Sequence, residues 1–271
     1  MKRRLPGVFL IPFLFFGMDF GAAFSLEAFG PSGSFNHIRI LKESFREFTE
    51  ETGYEIRADC QEMIVQGNLK SDDEFMNAES FHCDNNNIFG CGLELRDLKT
   101  KSEKAFFFSD SMKSIGHATH IIQDFYAHSN WVENHPEKIE IAPIEEPWHL
   151  LSMPHIQTGY YDLSPIIHHE EEAVECLNLS YEEMKNFQPF ATHICLNKDS
   201  EKTFRGGNPL TFSGNNAPIL LHQWAGLHAV AHTSKFLVDA FRNDHKNLKL
   251  CLVPKKLSFS CNNALFHLRT E

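Results

Sequence analysis

The sequence predicts an all-α fold with long irregular loops and a short C-terminal extension, and three observations lead there. Apolar residues recur at helical spacing in three stretches, residues 37–52, 114–133 and 217–243. Alternation of the strand type is read in the tail after Leu248, where it suits a small hairpin or an extended strap. At 271 residues, 42% of them hydrophobic, the chain can bury a core in one domain or at most two. The expected organisation is a leader over residues 1–25, a helical domain over 26–245 and an extension over 246–271.

The leader reading comes from MKRRLPGVFLIPFLFFGMDFGAAFS, which has a basic start, an apolar stretch and small residues at Gly21, Ala22 and Ala23. Pro6, Pro12 and Asp19 interrupt the roughly 20 clean apolar residues that a spanning helix needs. The expectation is a secreted or periplasmic protein, cleaved after Ala23 or Ser25. Export permits disulfides. The cysteines show no CxxC spacing, which disfavours a thiolate zinc site, and the locally plausible pairs are Cys83 with Cys91 and Cys251 with Cys261.

Along the chain, His37 to Thr52 places Ile38, Leu41, Phe45 and Phe48 on one helical face, with Asn36 as cap and Gly53 as terminator. A weaker helical stretch covers Asp59 to Gln66, after which Gly67, Asn68 and Asp72 read as a loop. SFHCDNNNIFGCG also reads as a loop. From Leu93 the chain is amphipathic as far as the 114–133 segment, as one long helix or a broken pair, with Phe106, Phe107 and Phe108 expected in the core. Prolines between Asn134 and Pro165 forbid sustained helix. Short helices are expected at His169–Leu177 and Ser180–Phe187, and a long one at 217–243.

The chemistry concentrates in SIGHATHIIQDFYAHSNWVE, residues 114–133. On a helix, His120, Asp124 and His128, spaced i, i+4, i+8, drift only about 80° around the axis, and His117 falls in the same sector. A polar stripe on an apolar helix requires partners, since unpaired burial costs several kcal/mol. A divalent cation such as zinc is one partner that suits nitrogen and oxygen donors; a buried polar network is the alternative. FHCDN offers His82 and Asp84 from a loop, and His228 and His232 repeat the i, i+4 spacing on the last long helix, where satisfied core histidines are the competing reading. His37 stands near a helix start, where an ordinary surface histidine would also fit.

Several patterns are set aside. FSDSMKS has Met112 where an Asp-x-Ser-x-Ser motif needs serine, HHEEEAVE lacks HExxH spacing, and no phosphate-cradling glycine loop or GxSxG elbow occurs. A formal charge of -11 argues against a broad cationic groove for nucleic acid, although one phosphate held by metals is compatible with it.

FHCDN, GHATHIIQDFYAHSNWVE and THICLNKD, in that order, resemble the N-terminal region of von Willebrand factor A domain-containing protein 7, fungal heterokaryon-incompatibility protein C and related secreted bacterial proteins. That region is distantly similar to zinc-dependent phospholipase C and the fungal zinc nucleases, which are all-helical with a trinuclear zinc cleft. The resemblance implies two or three zinc ions, with His37, His82, His120 and Asp124 as ligands, Asp72 or Asp73 as the carboxylate before the loop, and His128 in a shifted register. No Trp stands near the mature N-terminus to match the phospholipase pattern. The final His-x-x-x-Glu pair of the phospholipases has only His228 and His232, or His193, as substitutes.

The expected function is therefore a secreted zinc-dependent phosphodiester hydrolase resembling phospholipase C. Asp124 would bridge or orient metals, a carboxylate such as Asp72, Asp73 or Asp84 would take a proton, and the substrate would be a phospholipid or other phosphodiester, with peripheral contact to a membrane surface. A catalytically silent, metal-stabilised interaction module is the first alternative. A zinc nuclease is the second, with Tyr126, Trp131 or Trp148 as base-stacking aromatics.

Overall fold

The computed structural model describes residues 35–153, 155–160, 192–203, 205–210, 218–242 and 246–255. The leader expected over residues 1–25, the short helices expected at 169–177 and 180–187, and Cys261 lie outside the described residues. In chain order the elements are α1 (His37–Thr52), β1 (Tyr54–Ile56), α2 (Ala58–Glu74), α3 (Glu79–His82), α4 (Ile88–Lys104), α5 (Phe108–His128), α6 (Trp131–Asn134), α7 (Pro147–Leu151), α8 (His193–Leu196), β2 (Pro209–Leu210), β3 (Ile219–Leu220), α9 (Leu221–Arg242), α10 (Lys246–Lys249) and β4 (Leu252–Pro254). The described residues are mostly helical, and none of their helices is long and apolar enough to cross a membrane.

Helix α5 is the axis of the fold. Helices α1, α2, α4 and α9 all pack against it, and its last two turns are buried on every side. A helix apolar all round belongs in a core, so Ile121, Ile122, Phe125 and Tyr126 face neighbours while the His and Asp stripe faces α1, α2 and α3. Asn36 caps α1 by accepting from Arg39 N, and Gly53 ends it at φ 74°, as the sequence predicts.

Helix α2 corrects the loop expected at Gly67, Asn68 and Asp72, because the helix runs unbroken from Ala58 to Glu74. Gly67 is there for contact rather than for a turn. A Cβ on it would lie 2.5 Å from the Lys113 carbonyl oxygen, and a Cβ on Gly116 would meet the Ile64 carbonyl. The two glycines let α2 and α5 approach backbone to backbone, and Asn68 seals the seam by donating to Thr119 Oγ1 at 3.1 Å.

The broken-pair alternative holds for α4 and α5, with the break at residues 105–107. Phe106 and Phe107 are not in the core, being 88% and 63% exposed at this turn, while Phe108 packs inward. Consecutive residues at a helix–helix turn cannot all face one side. The proline-rich excursion holds two short helices, α6 at its threshold and α7, with Pro147 in the first turn of α7.

The tail does not form its own hairpin within the described residues. Strand β4 pairs antiparallel with β1, Tyr54 opposite Pro254 and Ile56 opposite Leu252. A disulfide between Cys60 and Cys251 secures the same junction, in place of the expected Cys251–Cys261 pair. Cys83 and Cys91 are bonded as expected.

Candidate metal centre

Two groups of ligand atoms lie on the stripe face of α5, one turn apart. In the first, His120 Nε2 stands 3.0 Å from Asp124 Oδ2, 3.2 Å from His82 Nδ1 and 3.5 Å from Asp72 Oδ1. His82 Nδ1 is 2.9 Å from Asp124 Oδ2, and His37 Nε2 from α1 is 3.5 Å from Asp124 Oδ1. Ligands about 2.0 Å from a tetrahedral zinc are separated by about 3.3 Å, so these spacings can accommodate a small cation, although the shorter ones are also those of direct His–Asp hydrogen bonds. In the second group, Asp84 Oδ1 faces His128 Nδ1 at 3.3 Å, and His193 from α8 stacks edge-on to His128 with ring centroids 4.3 Å apart. The atoms of His37, His120 and Asp124, of Asp72, His82 and His120, and of Asp84, His128 and His193 each lie within 4.8 Å of one another.

The far sides of the rings fix which nitrogen faces inward. His37 Nδ1 is 2.6 Å from Gln123 Oε1, which can only accept, so the proton sits on Nδ1 and the Nε2 lone pair points at Asp124 and His120. His82 Nε2 is 3.2 Å from the Phe75 carbonyl, leaving Nδ1 inward. His128 Nε2 is 3.0 Å from Asp199 Oδ1, leaving Nδ1 toward Asp84. Such outer partners are how proteins orient metal-binding histidines. Asp72 Oδ2 is buried without a hydrogen bond, a costly arrangement unless something else satisfies it, and Asp84 Oδ1 and His128 Nδ1 have each other as ion-pair partners at 3.3 Å.

Charge follows the same pattern. Burial opposes ionisation of Asp124, but the charges and hydrogen bonds of His120 and His82 hold its carboxyl well below the usual range. Burial and the neighbouring His120 lower the His37 imidazole from its ordinary value. His82 is desolvated too, yet the hydrogen bond and charge of Asp124 raise it. Burial pushes the Asp84 carboxyl up. Around His128, Asp199 and Asp84 outweigh burial and raise it well above the ordinary histidine value, while burial and His128 press His193 down to about 3.

Of the residues singled out in the sequence, His37, His120 and Asp124 form one triad and Asp72, His82 and His120 another, the two sharing His120 to make up the first group, while Asp84 and His128 meet in the second, joined by His193. Asp73 is exposed and outside both. His228 and His232 are elsewhere in the core: His228 Nδ1 bonds the Trp224 carbonyl, and His232 lies between Tyr126 OH at 3.0 Å and Glu145 at 3.4 Å. His117 Nδ1 bonds Ser71 Oγ at 2.8 Å. The residues that sequence reasoning did not single out are Gln123 and Asp199. Gln123 follows His120 by three positions and so shares its sector, and Asp199 closes the THICLNKD segment, which are the two signals that point to them.

Residues 42–146 match the family model of the VWA7 N-terminal domain. No curated protein and no solved structure matches the chain. The stretch similar to the VWA7 N-terminal domain contains Asp72, His82, Asp84, His120, Asp124 and His128, together with Gln123. His37, His193 and Asp199 lie outside it and complete both groups from the two sides of the chain.

Proposed function

We propose that this protein binds divalent metal, zinc by its donor set, and uses it to hydrolyse a phosphodiester, with a phospholipid as the preferred substrate class. The observation that carries the reading is the pair of adjacent donor groups, in which three histidines each give their outer N–H to a neighbour and turn the other nitrogen inward. Bound ions would supply a water of lowered pKa and neutralise a phosphoryl oxygen.

The two groups suit different tasks. The first group offers two overlapping triads, His37 with His120 and Asp124 and Asp72 with His82 and His120, and apart from Asp72 their side chains are buried. That closure suits a structural ion. Asp84, His128 and His193 form a three-ligand set, the number that catalytic zinc sites use while keeping a position for water. As a ligand there, Asp84 would be ionised and engaged by the ion, so it holds the metal rather than carrying a proton. Asp124 serves the first position, and exposed Asp73 is left without a role in the chemistry. Export agrees with the Cys60–Cys251 and Cys83–Cys91 disulfides, and the net charge of -11 favours a lipid headgroup over a polynucleotide.

The closure of the first group also favours a second reading, a metal-stabilised module without activity. Elemental mass spectrometry on chelator-free protein, for wild type and for His120→Ala with Asp124→Ala, separates these outcomes when paired with turnover of bis(p-nitrophenyl) phosphate and of phospholipid vesicles. Two metals per chain with turnover supports the hydrolase. Metal without turnover selects the silent module, and no metal after remetallation removes both.

A further inference from the structure

One residue stands between the two groups along the chain. His82 faces the first group and Asp84 the second, and Cys83 between them is fully buried and bonded to Cys91 in the first turn of α4. The backbone at Cys83 is left-handed, φ 54° and ψ 27°, and Asn85 and Asn86 follow at φ 54° and 55°. Residues with a Cβ avoid this region, Asn least among them, so two of the three positions carry a residue suited to it and Cys83 does not. The asparagines are further held from outside: Asn85 N donates to the Gly159 carbonyl at 2.7 Å, and Asn86 Oδ1 accepts from Thr158 N at 3.2 Å. Cys83 caps the end of α3, its N–H donating to the Glu79 carbonyl, and its side chain is tied by the disulfide.

We infer that the Cys83–Cys91 disulfide is a positioning element, holding the left-handed turn that aims His82 and Asp84 at the two donor groups at once. The inference rests on the metal-binding reading above. It separates this bond from Cys60–Cys251, which spans 191 residues against eight. Constraint of the unfolded chain grows with loop length, so the long bridge carries the larger share of global stability, and neither of its cysteines adjoins a ligand. The short bridge restrains little chain and sits where two ligands depart in different directions.

The test compares wild type with Cys83→Ala/Cys91→Ala, Cys83→Gly/Cys91→Ala and Cys60→Ala/Cys251→Ala, each stripped of metal and titrated with zinc, with the cobalt(II) absorption spectrum reporting ligand geometry and a thermal melt reporting folding. The alanine pair at 83 and 91 is expected to weaken zinc binding by about 10- to 100-fold, the range for lost ligand support, and to alter the cobalt spectrum. Glycine at 83 adopts positive φ freely and recovers most of that loss without the bond. The Cys60→Ala/Cys251→Ala protein melts at the lowest temperature yet binds zinc as wild type does. Unchanged affinity in the alanine pair, an equal loss in the Cys60→Ala/Cys251→Ala protein, or no recovery with glycine would each overturn the positioning role while leaving the metal reading intact. A wild type that binds no zinc overturns both.

Discussion

His128 Nε2 lies 3.0 Å from Asp199 Oδ1, although 71 residues separate them in the chain. The carboxylate fixes the tautomer that turns His128 Nδ1 toward Asp84, so Asp199 acts on the second donor group without belonging to it. Asp199→Ala removes the acceptor and frees the ring to rotate. Zinc affinity at that group is expected to fall about 10- to 100-fold, with the first group unaffected. Competition titration against a chromophoric chelator measures it, and an unchanged second binding step would refute the role.

The difference between what the sequence discloses and what it hides follows from where partners come from. The stripe of His120, Asp124 and His128 is legible because one helix carries it at a fixed period, and FHCDN because His82 and Asp84 are near neighbours. Asp199 and His193 reach the same place from a distant segment, and no local period encodes such a meeting. Gly67 misleads because a glycine that permits close packing of α2 on α5 looks, in sequence, like one that permits a turn. The Phe106–Phe107 pair misleads because composition cannot distinguish a turn from a core. Cys251 meets Cys60 through the β1–β4 pairing, a contact set by topology.

Glu133 holds two buried cations, Lys198 Nζ and Arg205 Nε, each at 3.1 Å from its Oε1. Lys198 Nζ also donates to the Ser129 carbonyl at the end of α5 and to the Leu196 carbonyl. The cluster thus pins the segment carrying His193 and Asp199 against the helix that carries His128. Glu133→Gln leaves both cations buried beside a neutral amide, and breaking such an arrangement costs about 3–5 kcal/mol. Urea unfolding is expected to show that loss, together with weaker zinc binding at the second group. A change below about 1 kcal/mol would contradict the assignment.

Gly116 faces the Ile64 carbonyl and Asn68 N of α2 with no space for a methyl group. Gly116→Ala must therefore part α2 from α5, and α2 carries Asp72. Overpacking of this kind costs about 1–3 kcal/mol, even though alanine is the better helix former. The expected outcome is a lower urea midpoint with weaker zinc binding at the first group. A stabilised variant would show that helix propensity outweighs the close approach.

Glu145 lies 3.4 Å from His232 Nε2, His232 Nδ1 is 3.0 Å from Tyr126 OH, and that hydroxyl accepts from Ala142 N at 2.9 Å. The chain of contacts ties the loop before α7 to α9 and α5, and it accounts for His232 without a metal. Burial alone would raise the Glu145 carboxyl, but the hydrogen bond and charge of His232 outweigh it and lower it from 4.5 to about 2. The unfolded chain then takes up this proton more readily than the folded one. Its contribution to stability is complete above pH 4.5 and is lost as pH falls from 4.5 to about 2. Wild type is expected to exceed Glu145→Gln in urea midpoint at neutral pH, with the gap closing across that window. Parallel curves for the two proteins from neutral pH down through the window would show that the tether contributes nothing through its charge.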